Sequence, residues 1–367
     1  MNTEAVAAEA TTQAPADARE AFFSRLPEEE RPRHMAMLIN RGLTDLMAKH
    51  PELIIFGEDV ARKGGVYHVT ADLQEKAGVG RVFNTPLDET SILGMAIGAG
   101  QMGMLPMPEI QYLAYLHNAI DQIRGEACSQ QFFSNNQYAN PMVVRIAGLA
   151  YQKGFGGHFH NDNSVGSLRE IPGLVMACPS NGEDAVGMLR TCTAAAKVDG
   201  RVSAFLEPIA LYMTKDLHEE RDGKWSFAYP KADFHVPVGK ARTWGDGKDL
   251  TIISYANGHW MSLRVAERLR AEGIDARCVD IRWLLPLPEE DIVREAKATG
   301  RVLVVDECRT TGGMAEGIIT ALVEHCPEVK MARVAAEDTF IPLGAAANLV
   351  LVQEADIEAG VRELMSR

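Results

Sequence analysis

DLTIISYANGHWMSLRVAERLRAEGIDARCVDIRWL, residues 249–284, changes hydrophobic period twice. DLTIISYA (249–256) is a short apolar run closed by Asn257-Gly258, the pattern of a strand buried on both faces. HWMSLRVAERLRAEG (259–273) places its apolar residues at helical spacing and stops on Gly273. DARCVDIRWL (275–284) is again strand-like. Strand, helix and strand in immediate succession predict a βαβ unit, which needs parallel pairing.

The alternation continues on both sides. Downstream lie PEEDIVREAKATG (288–300, helix), RVLVVDEC (301–308, strand), GGMAEGIITALVEHC (312–326, helix), KMARVAAED (330–338, strand) and DIEAGVRELMSR (356–367, helix). Upstream, HMAMLINRGLTDLMAKH (34–50), DETSILGMAIGAGQMG (88–103), NAIDQIRGEACSQQFF (118–133) and SNGEDAVGMLRTCTAAA (180–196) have helical spacing. ELIIFGEDV (52–60), PMPEIQYL (106–113), PMVVRIAG (141–148), GLVMACPS (173–180) and VSAFLEP (202–208) read as buried strands. Residues 214–237, TKDLHEERDGKWSFAYPKADFHVP, interrupt the pattern with charge, glycine and proline. The expected organisation is a disordered arm over 1–30, a domain over 31–213, a linker over 214–237 and a second domain over 238–367. Both domains are expected to be α/β, with parallel or mostly parallel sheets flanked by helices.

Length and composition agree with that plan. A chain of 367 residues, 46% hydrophobic and 24% charged, suits two globular domains. The net charge of −13 argues against non-specific binding to nucleic acid or an anionic membrane. No apolar run reaches the roughly 20 residues of a membrane span. The first 20 residues have early acids and neither a basic n-region nor an apolar h-region, so no secretory signal is expected. Six cysteines without a CxxC pair (Cys128, Cys178, Cys192, Cys278, Cys308 and Cys326) read as reduced thiols of a cytoplasmic protein.

Three motifs mislead. GAGQMG (98–103) matches the dinucleotide fingerprint, but it follows residues already helical rather than a strand. GDG (245–247) resembles the opening of a magnesium–diphosphate motif, but no suitably spaced Asn follows; a turn before a strand explains it. HFHNDN (158–163) comes close to H-x-H-x-D-H, yet the last ligand position is Asn163.

Several stretches, in order, carry a resemblance. They are FGEDVARKGGVYHVT (56–70), RVFNTPLDETSILGMAIGAG (81–100), PEIQYLAYLHNAIDQI (108–123), GGHFHNDNS (156–164), IPGLVMACPSNGEDAVGML (171–189) and FLEPIALY (205–212). DIRWLLPLPEEDI, VLVVDECRTTGGMAEGI and EDTFIPLGAAANLVL extend the series through the second domain. Together they resemble the β subunit of the thiamine diphosphate-dependent E1 component of 2-oxo acid dehydrogenase complexes. The resemblance implies a pyrimidine-binding domain followed by a transketolase C-terminal-like domain.

It also implies roles. Glu89, in LDETSIL, matches the glutamate that hydrogen-bonds N1′ of the cofactor's aminopyrimidine and promotes its action as an internal base; without that context it reads as a first-turn helical acid. Tyr115 matches an aromatic position that packs on the pyrimidine ring, though a core tyrosine reads the same way. Glu58 and Asp59 fall at a strand's carboxyl end, where ligands gather, or they cap a turn. His160, counted from Gly156 and Gly157, matches a histidine that assists acyl transfer to the lipoyl group of E2. In the family Ser-Gln usually follows; here Asn161-Asp162 does, which leaves the parts of His158 and Asp162 open. Asp199 lies near a structural monovalent-cation (K+) position, or in an ordinary Asp-Gly turn.

No diphosphate-binding domain is recognisable. The resemblance therefore implies an E1 α subunit supplying the Mg2+ and diphosphate ligands in an α2β2 heterotetramer, and a lipoylated E2 acyltransferase as acceptor. Branched-chain 2-oxo acids or pyruvate are the expected substrates. An acetoin dehydrogenase-type subunit, or a non-catalytic assembly subunit docking E2, is the alternative.

Overall fold

In the computed structural model, which describes residues 1–152 and 157–367, the unit read at 249–284 divides between two sheets. Its first strand, its helix and Ala276–Asp280 belong to the second domain, where Ala276–Asp280 pairs parallel with Leu250–Ser254 as a βαβ unit requires. Trp283–Leu285, in contrast, crosses over and pairs antiparallel with a strand of the first.

The strands in chain order are β1 (Leu53–Gly57), β2 (Val82–Asn84), β3 (Leu105–Ile110), β4 (Met142–Gly148), β5 (Val175–Ala177) and β6 (Val202–Pro208). They are followed by β7 (Arg242–Trp244), β8 (Leu250–Ser254), β9 (Ala276–Asp280), β10 (Trp283–Leu285), β11 (Arg301–Arg309) and β12 (Lys330–Ala336). The first sheet runs β10-β5-β6-β4-β3-β1-β2 and the second β12-β11-β8-β9-β7. Among the described residues, only the edge strands β10 and β7 run antiparallel to their neighbours.

Every residue of β1, β3, β4 and β6 is buried, as continuous apolar runs require when helices cover both faces. Helices Met35–Lys49 and Gly182–Asp199 cover one face of the first sheet through Leu43, Met47, Met188 and Leu189. Helix Glu89–Gln101 covers the other through Ile92, Leu93 and Ala96. This second core does not stop at the domain boundary: Ile110, Val144 and Met176 belong to one cluster with Val279, Val304 and Leu322.

Two expectations are corrected. Residues 1–30 are not a disordered arm. Helices Thr3–Thr11 and Ala16–Phe22 form there, and Val6 and Ala10 bury against Ala194 and Ala195. Glu9 pairs with Lys49 at 2.9 Å, and Arg19 reaches Asp45 at 2.7 Å and Glu28 at 2.8 Å. Composition signalled disorder because the segment has few large apolar residues, but small alanines let two helices approach closely. The stretch 118–133 is likewise not one helix. The chain forms a 3₁₀ segment at Leu113–Ala119, a π turn at Gln122–Ala127 and a short helix at Ser129–Phe133.

Residues 214–237 return over the first domain. Trp225 is buried, Tyr229 donates to Asp45 at 2.7 Å, and Arg190 donates to the carbonyls of Lys231 and Phe234 at 2.6 and 2.9 Å. All six cysteines are free thiols, five of them buried. Among the described residues, no helix is long and apolar enough to cross a membrane.

Candidate active site

Strands β2, β1, β3 and β4 are consecutive neighbours and parallel, so their carboxyl ends share one edge. In such sheets that edge gathers side chains from successive loops. Glu58 directly follows β1, Glu89 opens the helix after β2, Tyr112 and Tyr115 follow β3, and His160 lies on the loop after β4. Gly57 makes the first of these turns possible: a Cβ there would stand 2.5 Å from the carbonyl oxygen of Glu109.

The two glutamates are nearly closed off from solvent, at 7% exposure for Glu58 and 4% for Glu89. One oxygen of Glu89 accepts from Nδ2 of Asn118 at 3.1 Å, and Thr90 in turn donates to the Asn118 carbonyl at 2.9 Å. Oε1 of Glu58 is buried without a hydrogen-bond partner among the described residues. Burial, then the charges of Glu89 and Asp59 and a hydrogen bond shared with Glu89, push the Glu58 carboxyl up to about 6. Burial and the same two glutamates raise the Tyr115 phenol. These carboxylates and the phenol therefore share one local field.

Tyr115 Oη lies 3.4 Å from His160 Nε2, and the His160 ring stands edge-on to Tyr112 with centroids 4.8 Å apart. His158 takes a different course. It is exposed and lies against Phe159 and Phe340, with centroids 4.2 and 5.2 Å away. Gly156, half of the glycine pair used to place His160, lies outside the described residues; Gly157 has φ +60°. The HFHNDN side chains thus enter separate surroundings instead of converging.

Asp162 is buried and accepts from Ser164 N at 3.2 Å, from the Ser164 hydroxyl and from Arg309 Nη2 at 3.4 Å; His117 Nε2 stands 3.5 Å away. Burial alone would raise this carboxyl, but hydrogen bonds from His117 and Ser164 and the charges of Arg309 and His117 hold it below its ordinary range. The bond to Asp162 outweighs burial at His117 and raises that imidazole. Ser164 is a local partner two residues on, but His117 and Arg309 are not legible locally, because the fold alone brings the segment after β3 and the end of β11 to Asp162. Asn118, 29 residues from Glu89, escaped sequence reasoning for the same reason.

Asp199 is remote from this cluster in the chain's organisation, at the end of helix Gly182–Asp199. Its carboxylate accepts from Arg201 at 2.7 Å and stands 4.0 Å from the N-terminal ammonium. Two cations of the chain already meet its charge, so this side chain is a poor fit for a K+ ligand. GAGQMG lies in and just beyond helix Glu89–Gln101, with Gly100 against the Pro141 carbonyl. GDG forms the approach to β8, where Gly245 has φ +77°.

A sheet edge bearing a carboxylate pair, next to a second parallel domain that shares its core, defines a two-domain protein of transketolase type. The family model of the transketolase pyrimidine-binding domain matches residues 31–214, and that of the transketolase C-terminal domain matches 239–357. The chain is 35% identical to the 2-oxoisovalerate dehydrogenase subunit beta of Bacillus subtilis over 289 residues, 78% of this chain and 83% of the relative. It is 33% identical to the pyruvate dehydrogenase E1 component subunit beta of Staphylococcus epidermidis over 331 residues, 88% and 95% of the two chains. A solved structure described as a split gene transketolase, inactive beta4 tetramer, shares the fold with a TM-score of 0.71 at 21% identity, covering 92% of this chain and 99% of that one. The chain belongs to the family of 2-oxo acid dehydrogenase E1 β subunits.

Proposed function

We propose that the chain is the β subunit of a thiamine diphosphate-dependent E1 that oxidatively decarboxylates a 2-oxo acid and passes the acyl group to a lipoylated E2. The observation that carries this reading is the buried Glu58–Glu89 pair at the edge shared by β1 and β2. Two carboxyls with little solvent, one with an oxygen that has no hydrogen-bond partner among the described residues, fit a ligand offering hydrogen-bond donors and a protonatable ring nitrogen.

The aminopyrimidine of thiamine diphosphate is such a ligand, and when bound the cofactor supplies a carbon nucleophile and an electron sink for decarboxylation. Glu89 is assigned to the ring nitrogen, with Asn118 holding its second oxygen in place. A charge-assisted bond of this kind is worth roughly 1.5–3 kcal/mol. Glu58, raised to about 6 by burial and then by the charges of its neighbours, is assigned to hold or release a proton beside Glu89. Tyr115 gives an aromatic wall and touches His160, which is assigned to the proton movements of acyl transfer.

Among the described residues, no group of three or more His, Cys, Asp or Glu side chains is placed to hold a metal ion. The Mg2+ and diphosphate ligands are assigned to an E1 α subunit, with the site completed between chains in an α2β2 assembly. The exposed face of helix Glu89–Gln101 supports a partner there: Gly94 and Gly98 have open space where a Cβ would stand, and Met95 and Met102 are exposed. A cytoplasmic location accords with the six free thiols. The curated relatives favour branched-chain acids or pyruvate as substrate over acetoin.

The test is co-expression with an α-type subunit, followed by ferricyanide-coupled decarboxylation with thiamine diphosphate and Mg2+. Turnover of pyruvate or branched-chain 2-oxo acids by the pair, and none by this chain alone, is expected. A pair that assembles and binds cofactor yet decarboxylates neither substrate class sinks the catalytic reading and leaves the assembly subunit.

A further inference from the structure

Resting on the reading above, we propose that His117 is a positioning residue for His160: through Asp162 it fixes the loop 157–166 against the second domain. The 3₁₀ segment Leu113–Ala119 sends three side chains to three parts of the site. Tyr115 meets His160, Asn118 holds Glu89, and His117 reaches Asp162, two residues beyond His160. The loop is joined to the end of β11 at three successive residues. Asn163 donates to the Glu307 carbonyl, the Cys308 thiol donates to the Asn163 carbonyl at 2.7 Å, and Arg309 donates to Asp162 at 3.4 Å. Farther along, Gly166 passes so close to Gly312 that a Cβ would stand 2.9 Å from its carbonyl oxygen. Within described residues, His160 therefore stands on a loop referenced to both domains, and Asp162 is the residue both domains grip.

His117 is the titratable member of that grip. Asp162 and Ser164 face it from the loop and Arg309 faces it from β11; His158 and Asp338 line the same groove of about 820 Å3. Asp338 is engaged with Thr311. When His117 is protonated, Asp162 is paired from both sides. When it is neutral, the charge attraction on the first-domain side is lost while Arg309 keeps its hold. The place of His160 beside Tyr115 and Tyr112 thereby follows the ionisation of a residue that need not touch substrate.

The experiment uses the assembled α/β holoenzyme and reads hydrogen–deuterium exchange of the 157–166 peptide, corrected for intrinsic rates, between pH 5.5 and 8.5 in about half-unit steps. For a half-exposed ion pair, loop protection falls about two- to fivefold as His117 loses its proton. In His117→Gln that pH dependence is flattened, and in Asp162→Asn it moves to lower pH as the imidazole loses its carboxylate. In turnover, His117→Gln lowers kcat for acyl transfer to lipoylated E2 with KM for the 2-oxo acid unchanged, and removes one ionisation from the pH profile. Wild-type pH dependence of loop exchange in both variants overturns the proposal, whatever the activities. A pH-dependent loop in a pair without 2-oxo acid turnover overturns the catalytic reading instead.

Discussion

Glu58 and Glu89 arrive from the ends of adjacent strands and meet as two buried carboxyls, the charge of Glu89 adding to burial in raising the Glu58 carboxyl. Glu89 has Asn118 to support it, whereas one oxygen of Glu58 has no partner among the described residues. Burial and its neighbour's charge hold Glu58 at about 6, between an ordinary carboxylate and a neutral acid. Substitution of Glu89 is therefore felt by Glu58, whose carboxyl that charge raises.

Glu89→Gln keeps the volume and the Asn118 contact while removing the charge. If Glu89 supports the cofactor ring as proposed, kcat in the α/β pair falls about 10- to 100-fold, the equivalent of one charge-assisted bond. Thermal stability of the chain stays at or above wild type, because a buried like-charge contact is removed. Steady-state decarboxylation alongside calorimetry checks both halves; unchanged turnover removes Glu89 from the chemistry.

Glu58 makes stability depend on pH with a definite sign. Its folded carboxyl is raised from 4.5 to about 6, so the folded state holds this proton more tightly than the unfolded chain does. That contribution is present below pH about 4.5 and disappears as pH rises through about 6. Glu58→Gln should therefore stabilise the chain relative to wild type above pH 6 and lose that advantage below pH 4.5. Urea midpoints at pH 4.5 and 7.5 measure the difference, and an equal shift at both would contradict it.

Beneath the site, Arg145 is buried between Glu109 and Glu207, each 2.7 Å away, and Tyr212 donates to Glu207 at 2.5 Å. Arg145→Met leaves two buried carboxyls facing one another without their cation. The loss should be about 3–5 kcal/mol. Burial raises Glu109 to about 7 even with Arg145 present, so the variant should recover part of its stability as pH falls through that range. Denaturant unfolding at pH 5.5 and 8 reads the sign; a milder effect at pH 8 than at pH 5.5 would refute the account.

Trp283 ties the domains together, fully buried on β10 where that strand pairs with β5, while neighbouring Arg282 donates to Asp184 at 2.9 Å. Trp283→Ala should cost about 3–5 kcal/mol. Because one hydrophobic core crosses the boundary, both halves should unfold in a single transition in the wild type. Calorimetry showing two separated wild-type transitions would mean that the shared core does not couple them.

The alternation of strand and helix is legible in sequence because burial on both faces forces continuous apolar runs, and helices between parallel strands need amphipathic spacing. Glu58 and Asp59 are legible at the carboxyl end of a strand. Glu89, Tyr115 and His160 are reached only through the ordered resemblance to a family, because each reads locally as an ordinary helical acid, core tyrosine or loop histidine. Their assembly is not legible at all. The sequence by itself could not say that β2, β1, β3 and β4 are neighbours, and that adjacency alone brings Glu58 to Glu89, Asn118 to Glu89 and His117 to Asp162. Nor could it say that Trp283–Leu285, read as the end of a βαβ unit, leaves its own sheet for the edge of the other. Local periodicity fixes which faces of each element are buried; pairing between distant strands decides against what they are buried. That second choice separated His160, set against Tyr112 and Tyr115, from His158, set against Phe159 and Phe340.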